Sequence, residues 1–259
     1  MPSDRPDPGM SVIRRVDQEL VARGLCASRE KAQRAVLAGQ VRLRGHPARK
    51  PSDLVKPGDE LALTTPEKFV SRGGHKLEHA LDQFRLEVAG AVAVDLGAST
   101  GGFTDCLLQG GAARVYAVDV GPGQLAWKLR QDPRVVVMER TNARHLTPAQ
   151  FPPPFAGADL VVVDCSFISL CQILPAAVAL LRRCGKLVAL VKPQFEAGKA
   201  EADRGRGVIT DPAVHARVLD ELEAFSATLP RLRWRGVTES PLRGPAGNAE
   251  FLALLETTD

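Results

Sequence analysis

An α/β fold preceded by a small α+β unit is the class the sequence predicts, and three observations carry the prediction. From Ala91 onward, short Val/Ala/Leu runs alternate with amphipathic stretches, the pattern of parallel strands covered by helices on both faces. Four of these runs end at or near a charged residue, namely Asp95, Asp119, Asp164 and Lys192. Surplus positive charge is confined to the front of the chain: 12 basic and 8 acidic residues precede Pro66, and 22 of each sign follow it. With 259 residues, 44% hydrophobic and 25% charged, the composition is that of a globular protein of one large or two unequal domains, which excludes collagen, coiled-coil and disordered classes. The expected organisation is a disordered lead-in over 1–10, a basic unit over 11–64, a linker over 65–70 and an α/β unit over 71–259.

The five cysteines, Cys26, Cys106, Cys165, Cys171 and Cys184, are odd in number and show no C-x-x-C spacing. That usage suits a reducing cytoplasm and gives no reason to expect a metal. MPSDRPDPGM has no apolar core of a secretory signal. The run Leu160 to Leu181 is long enough to suggest a membrane span, but it carries Asp164, Ser166, Ser169 and Gln172 and is cut by Pro175. It reads as a buried strand followed by a buried helix, with no membrane partner.

In the basic unit, Arg15 to Arg23 predicts a helix with Val16, Leu20 and Val21 on one face, stopped by Gly24. Ser28 caps a second helix in which Ala32, Ala35 and Val36 face inward and Arg29, Lys31 and Arg34 face out. Val41 and Leu43 alternate with Arg42 and Arg44 as a strand, and a Pro57-Gly58-Asp59 turn leads into a strand over Glu60 to Leu63. The run RVDQELVARGLCASREKAQRAVLAGQVRLRGHPARKPSDLVKPGDEL resembles the S4-like RNA-binding domain. That resemblance implies phosphate contacts from Arg15, Arg29, Lys31, Arg34, Arg42 and Arg44, which position RNA without selecting its sequence.

The segment AVAVDLGASTGGFTDCLLQGGAARVYAVDV reads strand, Gly-rich turn, helix, strand, with Asp119 lying 24 residues after Asp95. This is the opening of a Rossmann-like fold, whose ligand lies beyond the carboxyl ends of the strands. The turn Gly97-Ala98-Ser99-Thr100-Gly101-Gly102 departs from G-x-G-x-x-G, which disfavours a nicotinamide dinucleotide. It suits a cofactor without pyrophosphate: glycines let the backbone approach a bulky ligand, Asp95 can hold an ammonium group, and Asp119 can take ribose hydroxyls. S-adenosyl-L-methionine has both groups. Taken singly, Lys76 reads as a solvated lysine, Glu250 as an edge-strand carboxylate, and Asp164 with Lys192 as either a cleft pair or a structural ion pair.

Together these residues carry a closer likeness. VSRGGHKLEHAL, DLGASTGGFTDCLL, AVDVGPGQLAWKLRQDPRVVVMERTNAR, LVVVDCSFISL, LVKPQFEAGK and SPLRGPAGNAEF resemble the TlyA (haemolysin A-like) family of ribosomal RNA 2′-O-methyltransferases, whose catalytic domain is FtsJ-like. The resemblance implies a mostly parallel seven-stranded sheet flanked by helices and a catalytic tetrad of Lys76, Asp164, Lys192 and Glu250. It also implies a methyl-donor pocket that includes Asp95, Gly97, Ala98, Ser99, Gly101, Gly102, Phe103, Asp119, Asn142 and Asp164. The substrate implied is a cytidine in 16S or 23S rRNA, met as ribosomal RNA or subunits; the ending at Asp259 leans towards the large subunit.

On this reading Lys192 is general base or hydroxyl orienter, Asp164 holds it, Glu250 orients Lys76, and the four titrate as a coupled group. Arg72, Arg140, Arg144, Arg204, Arg206 and Arg243 read either as a continued RNA track or as solubilising charge, and Phe195 to Ile209 as a mobile substrate loop. The rival readings are a cytolysin and a non-catalytic RNA-binding protein.

Overall fold

A computed structural model describes residues 13–64, 67–198, 201 and 205–258, and the chain divides between residues 67 and 68 into two compact units. The lead-in over 1–10 and part of the linker, residues 65 and 66, lie outside the described residues.

The small unit runs β1 (Arg14–Arg15), α1 (Val16–Ala22), α2 (Arg29–Leu37), β2 (Val41–Leu43), β3 (His46–Pro47), β4 (Leu54–Val55) and β5 (Leu61–Leu63). Strand β2 lies between β3 and β5, antiparallel to both. Ser28 caps α2 by accepting a hydrogen bond from the Lys31 N–H at 3.3 Å. Val16, Leu20, Ala32, Ala35 and Val36 join Val41 and Leu43 in its core. Val21 does not: it is exposed, and the inward position on α1 belongs instead to Asp17. Asp17 accepts two bonds from Arg15 (3.0 and 3.1 Å), one from Arg29 (3.0 Å) and one from Gln33 (2.9 Å). Arg15, its strongest partner, holds the Asp17 carboxyl well below the usual carboxylate range against the cost of burial. Arg15 and Arg29, expected as free phosphate contacts, thus spend part of their donor capacity on a buried carboxylate.

The large unit runs α3 (Gly73–Gln83), β6 (Val92–Leu96), α4 (Gly102–Gln109), β7 (Arg114–Val118), α5 (Trp127–Arg130), β8 (Val135–Met138), β9 (Ala158–Val163), α6 (Leu170–Leu180), β10 (Leu181–Val191), α7 (Pro193–Glu196), α8 (Pro212–Thr228), β11 (Leu232–Glu239) and β12 (Phe251–Thr257). Among the described residues seven strands form one sheet, ordered β11-β12-β10-β9-β6-β7-β8. Only β12 runs against its neighbours in that sheet; the other pairings are parallel. The central strands β6, β9 and β10 are buried on both faces, which is why they read as unbroken Val/Leu runs. Strand order reverses between β6 and β9, and their carboxyl ends bring Asp95 and Asp164 together with the neighbouring Asp119 and Lys192. The Leu160 to Leu181 run is strand then helix, with Pro175 inside α6. Among the described residues no helix is long and apolar enough to cross a membrane.

Replacing Asp17 with Asn is expected to cost the small unit about 1–3 kcal/mol, the range for buried hydrogen bonds to a charged group. The wild-type advantage should be fully present above the unfolded aspartate range, near pH 4, and shrink progressively as pH falls from there towards the much lower folded value, so that it is smaller at pH 3 than at pH 7 but not gone. Urea unfolding of both proteins at pH 7 and pH 3 checks this; equal midpoints at pH 7 would refute it.

Candidate active site

The glycine-rich turn is built by backbone contact. Gly97 has φ +87°, and a Cβ there would lie 2.7 Å from the Asp164 carbonyl oxygen, so only glycine lets the turn after β6 lie against the end of β9. Gly101, with φ +97°, leaves room for Leu125 and Leu129, which support the turn from below. Ser99 is itself left-handed, at φ +47°.

Two cavities open on either side of this turn. The larger, about 460 Å³, is lined by Gly97, Ser99, Asp119, Val120, Gln124, Asn142, Asp164 and the Cys165–Ile168 segment. The smaller, about 210 Å³, is lined by Ser71, Arg72, Gly73, Lys76, Gly97–Thr100, Gly102, Phe103, Asp164 and Pro245. Asp164 and Gly97 belong to both, so the two are compartments of one cleft.

Two ion pairs reach the smaller compartment through Lys76 and Asp164, while their partners Glu250 and Lys192 lie behind them and line neither compartment. Lys76, on α3, pairs with Glu250, immediately before β12; both side chains are buried, at 8% and 2% exposure. Strand β12 lies inside the sheet, so Glu250 is not an edge carboxylate. Lys192 Nζ lies 2.6 Å from Asp164 Oδ1 and also donates to the Ser166 hydroxyl (2.8 Å) and the Cys165 carbonyl (3.2 Å). Three acceptors match the three protons of its ammonium. The four expected tetrad residues therefore gather as two lysine–carboxylate pairs, with Lys76 and Asp164 facing the same space.

The expected donor-pocket residues divide in three. Gly97, Ser99, Asp119, Asn142 and Asp164 line the larger compartment, and Gly97, Ser99 and Asp164 line the smaller as well. Ala98, Gly102 and Phe103 line the smaller. Asp95 and Gly101 line neither. Asp119 holds the turns with one bond per oxygen, from the Ser99 N–H (2.8 Å) and the Gly121 N–H (2.7 Å), and each oxygen keeps a lone pair for a hydroxyl donor.

Asp95 is the correction. Its side chain is wholly buried behind the turn, so a direct ammonium contact of the kind expected for it does not fit. Oδ2 accepts from the Thr104 hydroxyl at 2.6 Å, and among the described residues Oδ1 has no partner. Burial first, then the nearby charges of Asp164 and Asp119, push its carboxyl up to about 7 despite the Thr104 bond. An orphaned carboxylate oxygen behind a cleft walled by two further aspartates is an environment that a cation in the cleft relieves, and S-adenosylmethionine carries both an ammonium and a sulfonium. The residues present fit that cofactor.

Of the expected RNA contacts, Arg72 lines the smaller compartment. Lys31, Arg34, Arg42 and Arg44 are exposed on the small unit, Arg34 paired with Glu30 and Arg44 with Asp59. The expected mobile loop Phe195 to Ile209 starts inside α7, and Asn248 bonds both Gly207 O (2.9 Å) and the Ile209 N–H (2.8 Å), which fastens its end. Residues 199, 200 and 202–204, including Arg204, lie outside the described residues.

Sequence reasoning missed Phe167, which lines the larger compartment yet is 89% exposed, with a left-handed backbone at φ +63°. It also missed Glu196, which accepts from the Ser169 hydroxyl (2.7 Å) and the Leu170 N–H (2.8 Å) and so ties the segment after Lys192 to the start of α6. An aromatic after Asp-Cys-Ser in a strand-end loop was the available signal for Phe167; for Glu196 there was none.

Residues 69–257 match the family described as FtsJ-like methyltransferase, and residues 14–61 match the S4 domain. The chain is 51% identical over 247 residues to the 16S/23S rRNA (cytidine-2′-O)-methyltransferase TlyA of Mycobacterium tuberculosis, an alignment covering 94% of this chain and 90% of the relative. It is 50% identical over 244 residues to YqxC of Bacillus subtilis, proposed as an rRNA methyltransferase, covering 92% and 84%. A solved structure from Streptococcus thermophilus, of a protein proposed as a hemolysin, is 45% identical with TM-score 0.72, covering 96% of this chain and 90% of that one.

Two stability measurements check the site's electrostatics. Glu250→Ala leaves Lys76 buried without its partner and should cost about 3–5 kcal/mol, much of it recovered by adding Lys76→Met; chemical denaturation of single and double variants decides, and no recovery would mean the pair is not what is lost. Because Asp95 holds its proton more tightly folded than unfolded, its burial should cost stability as pH rises from about 4 to about 7, by about 4 kcal/mol in all, and nothing further above. Wild type should lose stability relative to Asp95→Asn between pH 5 and pH 8; parallel curves would contradict this.

Proposed function

We propose, from the premise that the chain belongs to the TlyA group of FtsJ-like methyltransferases, that it methylates the ribose 2′-hydroxyl of a cytidine in 16S or 23S ribosomal RNA, using S-adenosylmethionine. The observation that carries the proposal is the pair of lysine–carboxylate contacts at one cleft, Lys76 with Glu250 and Lys192 with Asp164, both lysines buried, beside a compartment lined by Asp119 and Asn142. S-adenosylmethionine, when bound, supplies a methyl group on a positively charged sulfur that is already a good leaving group. Asp119 and Asn142 are suited to its ribose and adenine end. The three carboxylates of Asp95, Asp119 and Asp164 suit its charge.

The protein's remaining work is alignment and proton handling. Alignment alone can contribute several kcal/mol to lowering the barrier. Lys192 is the group that orients the 2′-hydroxyl and, as the neutral amine left once one ammonium proton has passed to solvent, takes up the hydroxyl's proton as the methyl group is transferred. The three acceptors around its ammonium define what must change first. Ser166 is its neutral side-chain acceptor, exposed and at the cavity wall, so an incoming ribose oxygen can take that place while Asp164 keeps its hold. Lys76, neutralised by Glu250, lines the smaller compartment, which meets the larger at Asp164, and is placed to steady the oxygen as its charge grows. Phe167, at the open wall, offers a nucleobase a face to rest on. The small unit supports recognition of structured RNA through Lys31, Arg34, Arg42 and Arg44.

Incubation with labelled S-adenosylmethionine and unmodified ribosomal subunits tests the reading. Label should appear on ribose 2′-oxygens at cytidine. Lys192→Ala should reduce the rate by two or more orders of magnitude, consistent with the worth of a positioned acid–base group, and Lys192→Arg should fail to restore it because Arg stays charged. Label in the base, or full activity in Lys192→Ala, would refute the proposal.

A further inference from the structure

Among the described residues of the large unit, the exposed large hydrophobic side chains are Val120, Trp127, Phe167 and Val237. Three of them belong to the surroundings of the cleft. Val120 and Phe167 line its larger compartment. Trp127 follows directly on Ala126, whose N–H donates to the Thr100 carbonyl at 3.1 Å, and Thr100 lines the smaller compartment. A single exposed hydrophobic residue needs no explanation. What sets Trp127 apart is how firmly its short helix is held while its own ring is left out.

Leu125 and Leu129 are buried beneath Gly101. Lys128 pairs with the buried carboxylate of Asp105 at 2.9 Å. Arg130 pairs with Glu139 and donates to the Leu125 carbonyl at 3.0 Å. Residues on each side of Trp127 are thus fixed by packing or charge, and the indole alone, 73% exposed, meets solvent. The neighbouring cations are each engaged with a carboxylate, which leaves a flat, rigid, uncharged aromatic face as the feature this helix presents beside the cleft.

We infer that Trp127 is a stacking platform for a nucleobase of the RNA flanking the nucleotide that enters the cleft, an inference that rests on the proposed RNA substrate. A base is the occupant whose chemistry matches: it has a flat π-face, it accompanies a ribose entering the cleft, and stacking on an aromatic side chain tolerates any sequence. Because the backbone that carries it is already fixed, the ring gives up only its own two side-chain torsions on contact. Trp127 lines neither compartment, so its contribution is to RNA and not to the methyl donor.

The chain has two tryptophans, so in the Trp234→Phe protein the emission reports Trp127 alone. A short single-stranded RNA of mixed sequence should quench that emission and shield it from acrylamide, and the same strand made abasic, with its phosphates intact, should do neither. By fluorescence anisotropy of labelled RNA, Trp127→Phe should bind nearly as wild type, whereas Trp127→Leu and Trp127→Ala should bind at least about fivefold more weakly, all with unchanged affinity for S-adenosylmethionine. Equal binding of the leucine variant, equal quenching by the abasic strand, bound RNA that leaves Trp127 accessible, or no RNA binding would each overturn the inference. RNA that covers Trp127 without any ribose methylation would instead leave this inference standing and remove the proposed reaction.

Discussion

The cleft depends on a contact between two residues 174 positions apart, the buried pair of Lys76 and Glu250. Helix α3 enters the large unit before the first strand, and β12 completes the sheet as its reversed member. Lys76 and Glu250 join these two ends of the fold. Neither charge is tolerable alone at such burial, so the pair constrains α3 to sit where its first turn closes the smaller compartment. Asp105 reinforces the same arrangement from α4: its carboxylate takes the Val70 N–H at 2.8 Å, fastening the chain just before α3 to the helix that follows the glycine turn. The two compartments of the cleft are therefore built on shared supports.

Much of this is legible in the sequence, and the reason is topological. Parallel strands buried on both faces announce themselves as Val/Leu runs, and polar residues at their carboxyl ends have few roles other than facing a cleft, so Asp119, Asp164 and Lys192 stand out from the order of residues alone. Lys76 and Glu250 do not stand out singly. One sits on an amphipathic helix and the other ahead of a strand, and nothing local distinguishes them from surface charges; the family resemblance joins them. Asp17 and Asp95 show the opposite failure. An aspartate between Val16 and Gln18 has the local pattern of a solvated residue, yet the helical face it shares with Leu20 turns inward, and Arg15, Arg29 and Gln33 make its burial tolerable. Sequence pattern sets Asp95 one layer too far forward, because a strand-end position does not reveal which side of the turn the side chain takes.

The basic surplus of the first quarter also changes meaning with the structure. Of the six basic residues assigned to phosphate, Arg15 and Arg29 lie against Asp17, Arg34 against Glu30 and Arg44 against Asp59. Net charge still attracts a polyanion over a Debye length, but the guanidinium groups are partly pre-ordered by carboxylates instead of waving free. Such ordering lowers the entropy lost on contact while reducing the Coulombic pull, a balance better suited to positioning a structured RNA than to holding it tightly.

Asp95 states the trade at the centre of the molecule most plainly. A carboxyl group buried behind the turn, with one oxygen unpaired and two other aspartates nearby, disfavours ionisation in the protein alone. That cost is tied to the fold, since Thr104 fixes one oxygen and β6 the backbone, so Asp95 cannot swing out to be solvated. A cation entering the cleft meets carboxylates at its wall and favours the ionised form of the one behind it. If the proposed cofactor binds, binding and deprotonation of Asp95 would form a single linked equilibrium, in which positive charge on the ligand compensates the repulsion among the three carboxylates. In the proposed reaction, a product that has given up its methyl group would also have given up the sulfonium charge and would offer less of that compensation, so the same buried carboxylate would hold it less tightly than the charged donor.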